Sequence, residues 1–141
     1  MSRSGYSVDS WEEDYPNEAE MFRANVRRTL EGKKGQLFLR ELATAMDAMP
    51  EKKLIANELI DAQGDCCTMG VICAVRNLDV SKLDYEDPDQ VGKALGIKSM
   101  MAREIAYMND EGVDTEETPE ARWTRMRKWV SDNLKGVKGN E

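Results

Sequence analysis

The sequence predicts a mainly α fold, a compact bundle of five or six short helices with one minor β-hairpin, and three observations carry that prediction. Apolar residues return at helical spacing in one stretch after another. A capping residue followed directly by proline occurs twice, at Asp87-Pro88 and Thr118-Pro119. The run Cys66 to Val75 carries no charge at all, and it must lie inside whatever the rest builds.

The length of 141 residues fits one domain. Three regions are expected within it: an acidic N-terminal arm over 1–16, a single helical domain over 17–135 and a frayed tail over 136–141. The arm holds Trp11 and Tyr15 among Glu12, Glu13 and Asp14 and shows no periodicity. The first helix is expected to begin at Asn17 as N-cap, with Glu20 completing a capping box. Phe22, Val26 and Leu30 then form one apolar face. Gly32 and Gly35 interrupt the pattern. A second helix follows with Phe38, Leu42, Ala45, Met46 and Met49 on one stripe, and Pro50 ends it.

Residues 53–60 fit a short helix or a strand equally well. The turn chemistry of Asp61-Ala-Gln-Gly-Asp65 favours the strand, hence a hairpin over 53–67 lying on the helices. The uncharged run is then read as a strand end at Cys66 and Cys67 leading into a core helix. Asp87 and Pro88 start a short helix with Val91, Ala94 and Leu95, which Gly96 stops. Ser99 is expected to cap the next, with Met101, Ala102, Ile105 and Met108 as its stripe. An acidic loop over 112–117 precedes the last helix, where Trp123, Met126, Val130 and Leu134 face inward.

Composition excludes several chemistries. The chain has no histidine, which removes the commonest general base and every Cys/His zinc pattern. Three cysteines, an odd number, argue against a disulfide framework and for a reducing cytoplasm. No apolar run approaches the about 20 residues of a membrane span, and Met1-Ser2-Arg3 opens no apolar leader. Neither carboxylate-rich run, Asp84 to Asp89 or Asp110 to Asp114, has the alternation of a calcium loop. No Walker loop, dinucleotide fingerprint or nucleophile elbow is present. The sequence therefore offers no catalytic residues, no metal ligands and no cofactor.

Net charge is −7, and it is segregated. Residues 1–20 sum to −5, 21–53 to +4, 54–100 to −4, 101–121 to −6 and 122–141 to +4. Such blocks arise as solvated helix faces that attract one another on folding, or as a docking face for a partner of opposite sign.

Three constellations stand as candidate sites. The helix pair at 88–110 has the spacing of a helix-turn-helix, but its second helix carries Glu104, Asp110 and Glu111 beside Arg103, and these acids would repel phosphate. Plain angular packing of two helices is the preferred reading. Cys66, Cys67 and Cys73 read as buried, inert thiols, because adjacent cysteines make strained zinc ligands. The last helix interleaves Arg122, Trp123, Arg125, Arg127, Lys128 and Trp129. Either the tryptophans are core and the bases wet, or Arg122, Arg125, Lys128 and Trp129 form a partner-binding patch with Trp129 as its anchor.

Five further segments stand out: Gly35-Gln-Leu-Phe-Leu-Arg-Glu-Leu42, Met49-Pro-Glu-Lys-Lys-Leu-Ile55, Ala94-Leu-Gly-Ile97, Ala102-Arg-Glu-Ile-Ala-Tyr-Met-Asn-Asp-Glu-Gly112 and Glu117-Thr-Pro-Glu-Ala-Arg-Trp123. In these the chain resembles a set of short proteins of unassigned function encoded by tailed bacteriophages and prophages. Similar proteins have one cysteine followed by small residues where this chain has Cys66-Cys67-Thr68-Met69. The resemblance implies a non-structural accessory protein acting in the cytoplasm of the infected cell. Taken with the residues, the expectation is protein–protein binding to a host protein, for instance as inhibitor of a host defence or transcription system. The alternative is a nucleic-acid-associated regulator using the 88–110 helix pair or the basic C-terminal helix. No membrane contact is expected, and the sequence leaves the oligomeric state open.

Overall fold

Proline opens three of the helices, because its fixed φ suits the first turn and its missing N–H is not needed there. The computed structural model describes residues 16–112 and 116–135. Among them are six helices: α1 (Pro16–Glu31), α2 (Lys33–Asp47), α3 (Thr68–Val75), α4 (Pro88–Leu95), α5 (Ser99–Glu111) and α6 (Pro119–Asn133), with a short 3₁₀ turn at Val80–Lys82. The fold is mainly helical, as the periodicity predicts. The expected arm, apart from Pro16, and the expected tail lie outside the described residues, as does part of the 112–117 loop.

Two starts come earlier than expected, by two residues in α1 and by one in α5. Helix α1 begins at Pro16, so Asn17 lies inside its first turn rather than capping it. Helix α5 is capped at Lys98, and Ser99 is its first helical residue. The other two proline starts are as read. The Asp87 carboxylate accepts from the N–H groups of Asp89 and Gln90, and the Thr118 hydroxyl accepts from Ala121 N–H at 3.0 Å. Helix α2 ends at Asp47, before Pro50, which is barred from continuing it.

Helices α2 and α5 sit at the centre. Helix α2 packs on α1, α3 and α6, and α5 on α1, α3, α4 and α6. Leu39, Leu42 and Met46 of α2 meet Ile72 of α3, Met101 and Ile105 of α5, and Met126 and Val130 of α6 in one core. Each such side chain contributes roughly 1.5–3 kcal/mol by leaving water. The charge-free helix α3 is buried from Thr68 through Cys73.

Gly35 explains what the sequence pattern alone left as an interruption. It lies within α2 against the end of α1, where an added Cβ would stand 2.2 Å from the Thr29 carbonyl oxygen. Beside it, the buried Gln36 amide donates to Leu30 O and Asn133 O and accepts from Lys135 N–H at 2.7 Å. One side chain thus ties the α1–α2 corner to the end of α6.

The hairpin over 53–67 is the expectation that fails. Among the described residues there are no strands, and this segment makes a single antiparallel bridge between Ile60 and Cys66. The turn itself is as read: Asp61 Oδ1 accepts from Gln63 and Asp65 N–H, and Gly64 takes φ +88°. Ile55 N–H donates to Cys66 O and Leu59 O accepts from Cys67 N–H, but no ladder forms, because helices capture other backbone groups of the upstream arm. Leu54 N–H donates to Pro119 O, Leu54 O accepts from Arg122, and Ile55 O accepts from Asn109. Asn57, at φ +70°, turns its N–H to the Asp110 carboxylate. Those groups would otherwise seek a ladder.

Candidate binding surface

The four residues proposed for partner contact all lie on α6, yet the helix points them in different directions. Arg122 and Arg125 stand one turn apart near its start, where α6 crosses the end of α5. There the last carbonyls of α5 lack intrahelical partners. Arg125 donates to Met108 O at 2.6 Å and to Asn109 O at 3.2 Å, and Arg122 Nε donates to Asn109 O at 3.1 Å. Cations at a helix C-terminus also meet its partial negative charge.

Glu117 closes this cluster. Its carboxylate takes both Nε and Nη2 of Arg125, at 2.7 and 2.9 Å, and lies 3.4 Å from Arg122. The Glu117 side chain is only 9 % exposed. Hydrogen bonding from Arg125 holds its carboxyl below the usual value of 4.5, against the opposing effect of burial. Fork-on-fork pairing of this kind is among the stronger polar contacts a protein makes. Sequence reading placed Glu117 in an acidic loop and gave it no role. The only hint was its position directly before the Thr118-Pro119 cap, with arginine five and eight residues on.

The rest of the helix splits similarly. Arg127 reaches across to Asp47 at the end of α2, with contacts of 2.8 and 3.0 Å, and holds that carboxyl below its usual value. Lys128 is 75 % exposed and pairs with Asp132 one turn on, at 2.8 Å. Trp129 is half-buried: its body packs against the core and part of it remains accessible. Trp123 is also half-buried, with its indole N–H buried and unpartnered and the Lys52 ammonium 5.8 Å above its ring. Of the four residues, Lys128 and Trp129 are thus left facing solvent on adjacent positions, while Arg122 and Arg125 bind the chain itself.

The cysteines take structural places. Cys67 is the N-cap of α3, its sulfur accepting from Gly70 N–H at 3.3 Å. All three are free thiols. Burial pushes the Cys66 and Cys73 thiols up to about 11. Among the described residues no group of three or more Cys, Asp or Glu side chains is placed to hold a metal ion.

In the 88–110 pair, α4 and α5 turn sharply at Gly96, which adopts φ +77°. Gly92 permits the close approach, since a Cβ there would meet Ile97 O at 2.8 Å. Asp110, at the far end of α5, is engaged by Asn57 N–H and by the Asn109 amide. No described helix is long and apolar enough to cross a membrane. Comparison with protein-family models, with curated proteins and with solved structures finds no match for the chain.

Proposed function

We propose that this chain is a non-catalytic binding module that docks on another protein, in the manner of the phage accessory proteins it resembles. A host protein is the partner, and inhibition of a defence or transcription system is the effect. One observation carries the choice of partner class. Every arginine and lysine of α6 that would make it a basic stripe is matched to a carboxylate of the same chain: Arg122 and Arg125 to Glu117, Arg127 to Asp47, Lys128 to Asp132.

A polyanion gains most of its affinity by replacing counterions with unpaired cations, so an internally neutralised helix offers it little. A half-buried tryptophan beside an exposed lysine suits a protein partner instead. The indole is already oriented by the core, so little rotamer entropy is lost on docking, and the rim charge can steer an acidic groove.

The test is a pair of measurements. Affinity capture from a lysate of the natural host, followed by mass spectrometry, should yield a defined protein whose purified form binds the chain directly. Titration of duplex and single-stranded DNA at physiological salt should show no submicromolar binding. Submicromolar DNA affinity abolished by reversing Lys128 and Arg127 would reject the reading in favour of the nucleic-acid-associated regulator.

A further inference from the structure

A hollow beside the α1–α2 corner collects cations that no acid of the described chain answers. It forms where the end of α1, the start of α2 and the start of α5 converge. Two adjoining concavities, of 280 and 630 Å³, share Arg28, Thr29 and Lys98. Lys33 and Lys34 line the smaller one. Among the described residues no carboxylate lines either, although acids outnumber bases 27 to 20 in the chain as a whole. Lys33, Lys34 and Lys98 enter no ion pair among the described residues, and the Arg28 guanidinium is held by the neutral Asn25 amide oxygen. This contrasts with α6, where every cation has its acid.

The backbone adds to the same field. Helix α2 starts at Gly32, which has no side chain to cap it, and α5 starts at Lys98, which makes no cap either. Lys33, Lys34 and Gly35 of one first turn, and Ser99 and Met100 of the other, line the hollow. Two helix N-termini therefore turn their positive ends to a cavity already lined by four cations. Holding like charges together costs free energy in the empty state, and a bound anion offsets it.

We propose that this hollow binds the phosphate group of a small ligand of nucleotide size. Arg28 and Lys98 hold the phosphate oxygens at the wall that both concavities share, Lys33 and Lys34 supply further charge, and first-turn amides donate to the anion as they do at other helix N-termini. The remainder of the ligand occupies the larger concavity against Met100 and the Thr29–Asn25 wall. A nucleic-acid strand is disfavoured because the net charge of −7 repels a polyanion at range. A single phosphate-bearing molecule meets only the local field.

The experiment titrates the whole chain with inorganic pyrophosphate, ATP and a single-stranded oligodeoxynucleotide, each against chloride at matched ionic strength. Calorimetry reads affinity, and amide chemical shifts report the position. Saturable pyrophosphate or ATP binding, with the largest shifts at Lys33 to Gly35 and Ser99 to Met100, is the expected result. The double variant Lys34→Glu/Lys98→Glu changes two exposed side chains and should keep the far-UV spectrum while weakening binding about tenfold or more. No saturable binding beyond chloride, shifts confined elsewhere, or affinity unchanged in the variant would each overturn the proposal. Tighter binding of the oligonucleotide than of ATP, lost in the same variant, would overturn it too, by assigning the hollow to a nucleic-acid backbone.

Discussion

Asn109 Oδ1 accepts two hydrogen bonds from Thr68, one from its backbone N–H at 3.1 Å and one from its hydroxyl at 2.7 Å. Both residues are fully buried. The same amide donates through Nδ2 to Ile55 O at 3.0 Å, and the Asn109 carbonyl receives Arg122 and Arg125. One residue at the end of α5 thereby fixes the start of α3, the irregular 53–67 segment and the start of α6. Segments 102–112 and 117–123 meet at this point.

Replacing Asn109 by alanine strands the Thr68 donors and the Ile55 carbonyl away from water. Leaving such groups unsatisfied costs about 1–3 kcal/mol each, so a total loss of about 3 kcal/mol is expected in urea unfolding. Thr68→Val removes one partner alone and should cost less. The double variant should fall short of the sum, because the two share one contact. Strict additivity would mean the pair is not coupled.

Glu117 makes stability depend on pH with a definite sign. Its folded carboxyl is held below the usual 4.5, so its contribution is fully present above that value and is lost as pH falls through the lower folded one. Asp47 acts in the same direction, held down by Arg127, but its side chain is 56 % exposed and solvent screens it. Glu117→Gln should cost about 3 kcal/mol near neutrality, since it leaves two half-buried guanidiniums without their counter-charge. Its stability curve should also be flatter than the parent's below pH 4.5. Parallel curves for the two proteins in acid would show that Glu117 carries none of the slope.

Gly70 is required by contact rather than by conformation. A Cβ there would stand 2.0 Å from the Leu59 carbonyl oxygen, which itself accepts from Cys67 N–H. Neither backbone can retreat without breaking that bond, so Gly70→Ala should cost about 3 kcal/mol, the upper end for overpacking. A melting temperature equal to the parent's would show that the loop gives way freely.

Local signals in the chain announced the helices, and tertiary capture decided the rest. Asp87-Pro88, Thr118-Pro119 and Gly96 act within one turn of their own position, so their reading needed no knowledge of the fold. The 53–67 segment has strand-like residues, and a partner across the Asp61–Gly64 turn, but Asn109 and Arg122 take its carbonyls from residues 54 and 68 positions away. Nothing near Leu54 or Ile55 in sequence reports that. The same holds for the candidate surface. Arg122 and Arg125 read as a basic patch beside tryptophan, whereas their guanidiniums meet α5 carbonyls that helical periodicity does not place. The hollow at Arg28 and Lys98 joins residues 70 apart, so charge counted along the chain gave only the positive sum of 21–53.

The thiols should be sluggish. With Cys66 and Cys73 pushed up to about 11 by burial, those two sulfurs carry almost no thiolate at pH 8. Labelling by a disulfide reagent should therefore be slow under native conditions and complete at once in denaturant. Rapid native labelling of Cys73 would show that α3 opens locally.

Trp129 is the residue on which the proposed protein-binding role can be weighed most directly. Its body rests against the core, so truncation removes some packing, and its accessible part supplies the contact. Trp129→Ala should weaken the host complex by about 2 kcal/mol or more, as loss of an interfacial aromatic anchor does. Trp129→Phe separates the two effects, because it keeps most of the buried ring while removing the indole N–H and part of the outer surface. The Phe variant should melt near the parent temperature yet still bind more weakly. Lys128→Glu should leave stability nearly unchanged, since its pair with Asp132 is exposed and worth about 0.3–0.5 kcal/mol. It should slow association with an acidic partner, and the more so at low salt. If all three variants bind the captured protein as the parent does, the docking face lies elsewhere on the bundle, and α6 is only a packing element.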